Sequence, residues 1–159
     1  MRLGIYIDGA SRGNPGPASV GVVLQNASGK TVKEFHRYIG VETNNVAEYT
    51  ALEDALKLAA KMGATSVKVH SDSQLLVRQM TGVYRIKNDR LAGYLMRINR
   101  KRGEFKDFAI VHVRREQNKR ADKLANMALD EVRVKKSPDD AVTAGVFDGS
   151  ALRQPALLK

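Results

Sequence analysis

Leu3-Gly-Ile-Tyr-Ile-Asp-Gly-Ala-Ser-Arg-Gly-Asn-Pro-Gly-Pro17 is the stretch around which the rest of the chain is organised. Its opening run, Ile5 to Ile7, is β-branched and aromatic and reads as a buried central strand. The run leads straight into Asp8 and then into a loop carrying Gly9, Gly13, Asn14, Pro15, Gly16 and Pro17. An ionised carboxylate at the end of a buried strand is costly unless something compensates it, and a bound cation does so. Asp also begins turns, so on this stretch alone Asp8 is either a turn residue or a ligand. The placement of the other acids decides.

Outward from this stretch, Ser19 to Leu24 reads as a second strand, and the Asn26-Ala-Ser-Gly29 turn leads to a third, Val32 to Ile39. Connections this short predict an antiparallel meander of three strands. Apolar residues at 46, 47, 51, 52, 55, 56, 58 and 59 then follow a helical period, with Thr43 or Asn44 as N-cap and Gly63 closing the helix. Glu48 opens this helix, where the dipole alone would favour an acid. Glu53 and Asp54 read as surface charges.

Ser66 to His70 is a short strand ending at Ser71-Asp72, and a second helix begins at Ser73-Gln74. A strand, crossover helix and strand in succession predict that this strand lies parallel to the first. Asp72 then shares a carboxyl edge with Asp8, the edge where open α/β sheets bind ligands; alternatively it caps the helix that follows. From Arg78 to Arg102 the only acid is Asp89, and Leu91, Leu95, Met96 and Ile98 mark a helix with one apolar face. The basic residues of this run form either a solvated face or a phosphate-contacting surface, and the overall charge favours the latter. Phe108 to Val113 is the fifth strand. A last helix runs from Lys119 to about Val132 with Asp122 beside its inward residues, a position where an acid needs a partner. Residues 133–159 lack strong periodicity and are expected to form a loosely ordered tail, or one docked through Val146-Phe147 or Leu157-Leu158.

Composition narrows the function. At 159 residues the chain is sized for one domain, residues 1–132, with a core of its own. It has no cysteine, which excludes disulfides, thiolate metal sites and a cysteine nucleophile. No apolar run approaches the roughly 20 residues of a membrane span, and no signal-peptide pattern precedes the first strand. A cytoplasmic protein with no membrane partner, acting as a monomer, is the expectation. Lys and Arg number 27 against 17 Asp and Glu, a net charge of +10 that favours a polyanionic partner. With five Tyr, four Phe and no Trp, there is no aromatic stripe of the single-strand-binding kind.

Asp8, Glu48, Asp72 and Asp122 thus form a pattern. Carboxylates gathered at one edge repel and raise each other's pKa values unless cations neutralise them. Oxygen donors without His or Cys favour Mg²⁺ or Mn²⁺ over zinc. Two such ions about 3.5–4 Å apart can clamp the attacking and leaving oxygens of a phosphodiester.

At these residues the chain resembles the type 1 ribonuclease H family. The matching stretches are Tyr6-Ile-Asp-Gly-Ala-Ser-Arg-Gly-Asn-Pro-Gly-Pro17, Thr43-Asn-Asn-Val-Ala-Glu-Tyr49, Ser71-Asp-Ser-Gln74 and Arg115-Glu-Gln-Asn-Lys-Arg-Ala-Asp-Lys-Leu-Ala125. They occur in the family's order. The resemblance implies an α/β ribonuclease H-like fold, with a mixed sheet of three antiparallel and two parallel strands flanked by helices. It implies endonucleolytic cleavage of RNA in RNA–DNA hybrids, leaving 5′-phosphate and 3′-hydroxyl ends. By the match, Asp8, Glu48, Asp72 and Asp122 are the catalytic carboxylates and hold two Mg²⁺ or Mn²⁺ ions. Asn14, Asn44, Asn45 and Gln74 match residues that touch the hybrid, and amide groups suit a 2′-hydroxyl that both donates and accepts.

Two departures stand out. Many members carry a His in the loop before the last helix. Here that loop is Arg114-Arg-Glu-Gln-Asn118, as in archaeal-type members, and Arg115 occupies the matching position. His112 falls within the strand pattern and reads as structural. The segment between Val83 and Leu95 is too short for the helix and loop of members with a basic handle, so substrate grip falls to the Arg85–Arg102 face or the tail. An integrase or resolvase on the same fold fits the glycine-proline loop and Thr43-Asn-Asn45 less well. A non-catalytic hybrid- or RNA-binding module remains the rival from another class, and double-stranded RNA a further possible substrate.

Overall fold

The computed structural model describes residues 1–82 and 85–135. The chain runs β1 (Arg2–Ser11), β2 (Gly16–Gln25), β3 (Thr31–Glu42), α1 (Asn44–Lys61), β4 (Ser66–Ser71), α2 (Gln74–Met80), α3 (Asp89–Arg102), β5 (Asp107–His112), a 3-10 turn at Arg115–Gln117, and α4 (Lys119–Lys135). The five strands form one sheet in the order β3-β2-β1-β4-β5. β1, β2 and β3 pair antiparallel, while β4 lies parallel to both β1 and β5. This is the mixed sheet that the short turns and the crossover helix predict, and it agrees with the fold that the resemblance implies.

Alternation along the strands divides the molecule into two layers around the sheet. Leu3, Ile5, Ile7, Val20, Val22 and Leu24 join Leu52, Ala55 and Leu56 of α1 in the main core. On the opposite face Val23 packs with Ala121 and Leu124 of α4, a far smaller apolar cluster that Tyr6 and Met127 border. Thr43 is the N-cap of α1, accepting from the Val46 amide at 3.2 Å, and Ser73 caps α2 through the Leu76 amide. Asp72 is therefore released from the capping role. Gly63, at φ +86°, turns the chain out of α1.

Several expectations change. β1 does not end at Asp8: it continues to Ser11 because β2 keeps pairing with it as far as Ser11↔Ala18. Glu48 lies beyond the first turn of α1, which holds no acid, so the helix dipole is not what places it. Glu53 and Asp54 are not surface charges. Glu53 is 7% exposed and binds Arg97 at 2.8 Å. Asp54 binds Arg37 through two contacts at 2.8 and 3.3 Å, and its burial pushes its pKa up against the opposing pull of Arg37. Met96 points outward, 63% exposed. α4 extends to Lys135, past the expected domain limit at Val132. The suggested docking residues Val146-Phe147 and Leu157-Leu158 lie outside the described residues.

The basic face of α3 is also less available than its sequence suggested. Arg90 pairs with Glu42, Arg97 with Glu53, and Lys101 with Glu104. Arg102 lies over the Phe108 ring, 4.6 Å from its centroid. Much of this charge ties α3 to the sheet and to α1.

Candidate active site

The site arises where two strands part. The parallel ladder between β1 and β4 ends at Ile7↔Ser71, whereas the antiparallel ladder between β1 and β2 runs on. Asp8 and Asp72 are the next residue on each strand, so two carboxylates flank the notch where pairing stops. Asp8 is buried and Asp72 partly so.

Glu48 enters from α1. A Cβ at Gly9 would collide with the backbone of Ala47 and Glu48, so only glycine lets α1 lie this close to β1. The approach is sealed by the Gly9 amide, which donates to Glu48 Oε1 at 2.9 Å in a buried setting. The result is that one ligand oxygen from each of Asp8, Glu48 and Asp72 falls within 4.8 Å of the others.

Asp122 reaches the same place from the other face. Gly21, the β2 partner of Asp8, sits under α4, where a Cβ would meet Ala121 O and Ala125 N. Asp122, in the first turn of α4, comes close enough to Asp8 to raise its pKa by repulsion and by a carboxyl hydrogen bond. The sequence-predicted carboxylates are thus brought together, three as a tight cluster and Asp122 beside Asp8.

The electrostatics are those of a site built for positive charge. Burial first, then Asp72 and Asp122, push the Asp8 pKa up to about 8. Glu48 is driven well above the usual carboxylate range, mainly by burial and then by Asp8 and Asp72. The Gly9 amide and Arg115 oppose this for Glu48, and Arg115 does so for Asp8. Arg115, on the exposed 3-10 turn, is therefore near enough to influence both acids. The fit to a divalent cation rests on this donor set: clustered carboxylate oxygens whose pKa values burial and mutual repulsion raise, and whose ionised form a hard cation would favour.

Among the expected substrate contacts, Asn14 and Asn44 meet directly. Asn14 Oδ1 accepts from the Asn44 amide at 3.0 Å, satisfying an N–H at the start of α1. Both are exposed, Asn45 is half-buried beside them, and Gln74 is exposed at the first position of α2. These amides sit on the loop between β1 and β2 and at the N-terminal ends of α1 and α2. His112 closes β5 with an exposed side chain and lies outside the cluster. Asn118 escaped notice at the sequence level; it is 1% exposed at the base of α4, and its spacing of one helical turn before Asp122 was the available signal.

A family model described as reverse transcriptase-like matches residues 6–128. The crystal structure of ribonuclease H1 from the archaeon Halobacterium salinarum superimposes with a TM-score of 0.81 at 46% identity, covering 82% of this chain and 99% of that one. The chain belongs to the type 1 ribonuclease H family. A second member, LC11-RNase H1, solved in complex with an RNA/DNA hybrid, gives a TM-score of 0.78 at 44% identity, covering 82% of this chain and 98% of that one. Among curated relatives, ribonuclease HI of Halobacterium salinarum is 46% identical over 130 residues, 82% of this chain and 65% of that protein. A bifunctional protein of Mycobacterium tuberculosis is 42% identical over 131 residues, 82% of this chain but 36% of that protein. The chain thus spans less than two thirds of the length of these curated relatives. Family membership places the carboxylate cluster within a nuclease fold.

Proposed function

We propose that the protein is an endoribonuclease that cuts the RNA strand of RNA–DNA hybrids and leaves 5′-phosphate and 3′-hydroxyl ends. The observation that carries this reading is the convergence of Asp8, Glu48 and Asp72 oxygens within 4.8 Å at the strand-parting notch, with Asp122 adjoining. These carboxylates would hold Mg²⁺ or Mn²⁺, two ions by the number of donors. Bound there, the ions would supply an activated water and neutralise charge on the departing 3′ oxygen.

The chain's own groups do the rest. Asp8 and Glu48 are fixed by burial and by the Gly9 amide, so their oxygens are positioned before substrate arrives. Asp72 and Asp122 are less buried, which leaves them within reach of a backbone phosphate arriving from solvent. Arg115 favours the ionised form of both buried acids and adds positive charge where the phosphodiester must sit. Asn14, Asn44, Asn45 and Gln74 read the hybrid through its 2′-hydroxyls and shallow groove. The net charge of +10 draws the polyanion to the surface.

The test is cleavage of a labelled RNA–DNA hybrid in Mg²⁺ or Mn²⁺, with single- and double-stranded RNA as controls, beside Asp72→Asn. Cutting of the hybrid's RNA strand that falls about a thousandfold or more in the variant supports the reading, about 4 kcal/mol of barrier. Tight binding of hybrid without cutting in either metal would replace it with a binding module. Equal cutting of double-stranded RNA would keep the chemistry and widen the substrate.

A further inference from the structure

Asn118 is buried at the junction of β1, the 3-10 turn and α4, and each of its polar groups but one is engaged. Its side-chain Nδ2 donates to the Ile7 carbonyl at 2.8 Å. That carbonyl belongs to the peptide that leads into Asp8. Its own carbonyl accepts from the Asp122 amide at 3.1 Å, and its amide donates to the Arg115 carbonyl at 3.0 Å. One residue is therefore bonded to the peptide before Asp8, to the backbone of Asp122 and to the backbone of Arg115.

The remaining atom, Asn118 Oδ1, is buried with no hydrogen-bond partner among the described residues. An unsatisfied buried acceptor costs free energy that an apolar side chain of similar volume would avoid. Packing alone does not account for an amide at this position. The donor on the other side of the amide does, because nothing apolar can hold the Ile7 carbonyl.

We propose that Asn118 is a positioning residue: its amide on Ile7 and its backbone on Arg115 and Asp122 set the gap between Asp8 and Asp122 that receives a divalent cation. This rests on the carboxylates holding such an ion, as argued above. It touches neither the substrate nor the reacting phosphate. Removing the side-chain donor lets α4 shift against β1, and the penalty falls on cation affinity before it falls on the fold or on hybrid binding.

The experiment compares wild type with Asn118→Leu and Asn118→Ala by calorimetric titration of Mn²⁺, alongside thermal unfolding and hybrid KM. Residues that orient metal-binding groups typically change metal affinity by about 10–100-fold when removed. The expected result is a loss of Mn²⁺ affinity in that range, hybrid KM unchanged, and cleavage that recovers as Mn²⁺ is raised. Wild-type affinity in a folded variant would overturn the proposal, as would a wild type that binds no Mn²⁺. If Asn118→Leu fails to fold, Asn118→Ala supplies the same comparison. If both variants fail to fold, the residue is structural and the proposal falls. Because Mn²⁺ binding is read without turnover, a wild type that binds Mn²⁺ yet leaves hybrid uncut would overturn the nuclease reading while this one is still decided.

Discussion

The two helices that deliver acids to the site are held to the sheet in different ways. α1 lies on an apolar seam, with Ala51, Leu52, Ala55 and Leu56 fully buried against β1 and β2. α4 also buries an apolar face, Ala121, Leu124, Ala125, Ala128 and Leu129, and adds polar bonds across its seam. Ser19 Oγ donates to the Ala125 carbonyl at 2.6 Å, Asn118 reaches Ile7, and ion pairs Arg120–Glu34 and Arg12–Asp130 sit at the rim. Each seam is closed by one glycine, Gly9 under α1 and Gly21 under α4. The difference teaches that Glu48 rides on the larger core, whereas the position of Asp122 depends in addition on several directional bonds across its seam. Damage to the first seam should cost the fold most, and damage to the second should cost both stability and the site.

The largest effects should come from the α1 seam. Leu52→Ala leaves a cavity beneath a fully buried position and should destabilise by about 2–5 kcal/mol in urea unfolding. Gly9→Ala forces α1 away from β1 and should cost about 3 kcal/mol together with nearly all cleavage, because Glu48 moves with the helix. On the α4 seam, Gly21→Ala meets the Ala121 backbone as closely and should cost a similar ~3 kcal/mol while weakening Mn²⁺ binding, since Ala121 adjoins Asp122. Wild-type Mn²⁺ binding by a folded Gly21→Ala variant would break the comparison.

A smaller effect of opposite sign is expected at Asp8. Its folded pKa of about 8 lies above the ordinary 3.8, so between these values the folded state holds a proton that the unfolded chain has released. Without metal, this contribution is fully present below the unfolded pKa and is lost as pH rises through about 8. In chelator at pH 8, Asp8→Asn should therefore melt above wild type, by about 4 °C for each kcal/mol of repulsion removed, as scanning calorimetry would show. The smallest change should follow Arg120→Ala, which breaks an exposed pair with Glu34 and should leave the melting temperature nearly unmoved.

Much of this was legible in the sequence because local signals and tertiary demands agree. The Asn26 turn shows it: Asn26 Oδ1 accepts from the amides of Ser28 and Lys30, and Gly29 takes φ +83°, so residues close in sequence fix the hairpin. Asp72 and Asp122 were legible because they mark a strand end and a helix start, whereas Asp8 and Glu48 lie inside their elements and were found through the strand-to-loop stretch and the helical period around them. The extension of β1 past Asp8 was hidden because Gly9-Ala-Ser11 has no strand alternation of its own and pairs only because β2 lies beside it. Glu53, Asp54 and the α3 cations were misread together. Their partners stand far away in sequence, Arg97 for Glu53 and Arg37 for Asp54, and a charge reads as solvated until its partner is seen. Asn118 is the extreme case, its side-chain partner lying 111 residues upstream.

The central claim is that β1, β4, α1 and α4 converge their acids on one cation-binding centre. Calorimetric titration of Mn²⁺ into wild type and into Asp8→Asn at neutral pH tests it most directly. Saturable binding to wild type, with proton release as Asp8 ionises, and loss of that binding in Asp8→Asn are expected. Equal Mn²⁺ binding by the two proteins, or none by wild type, would contradict it.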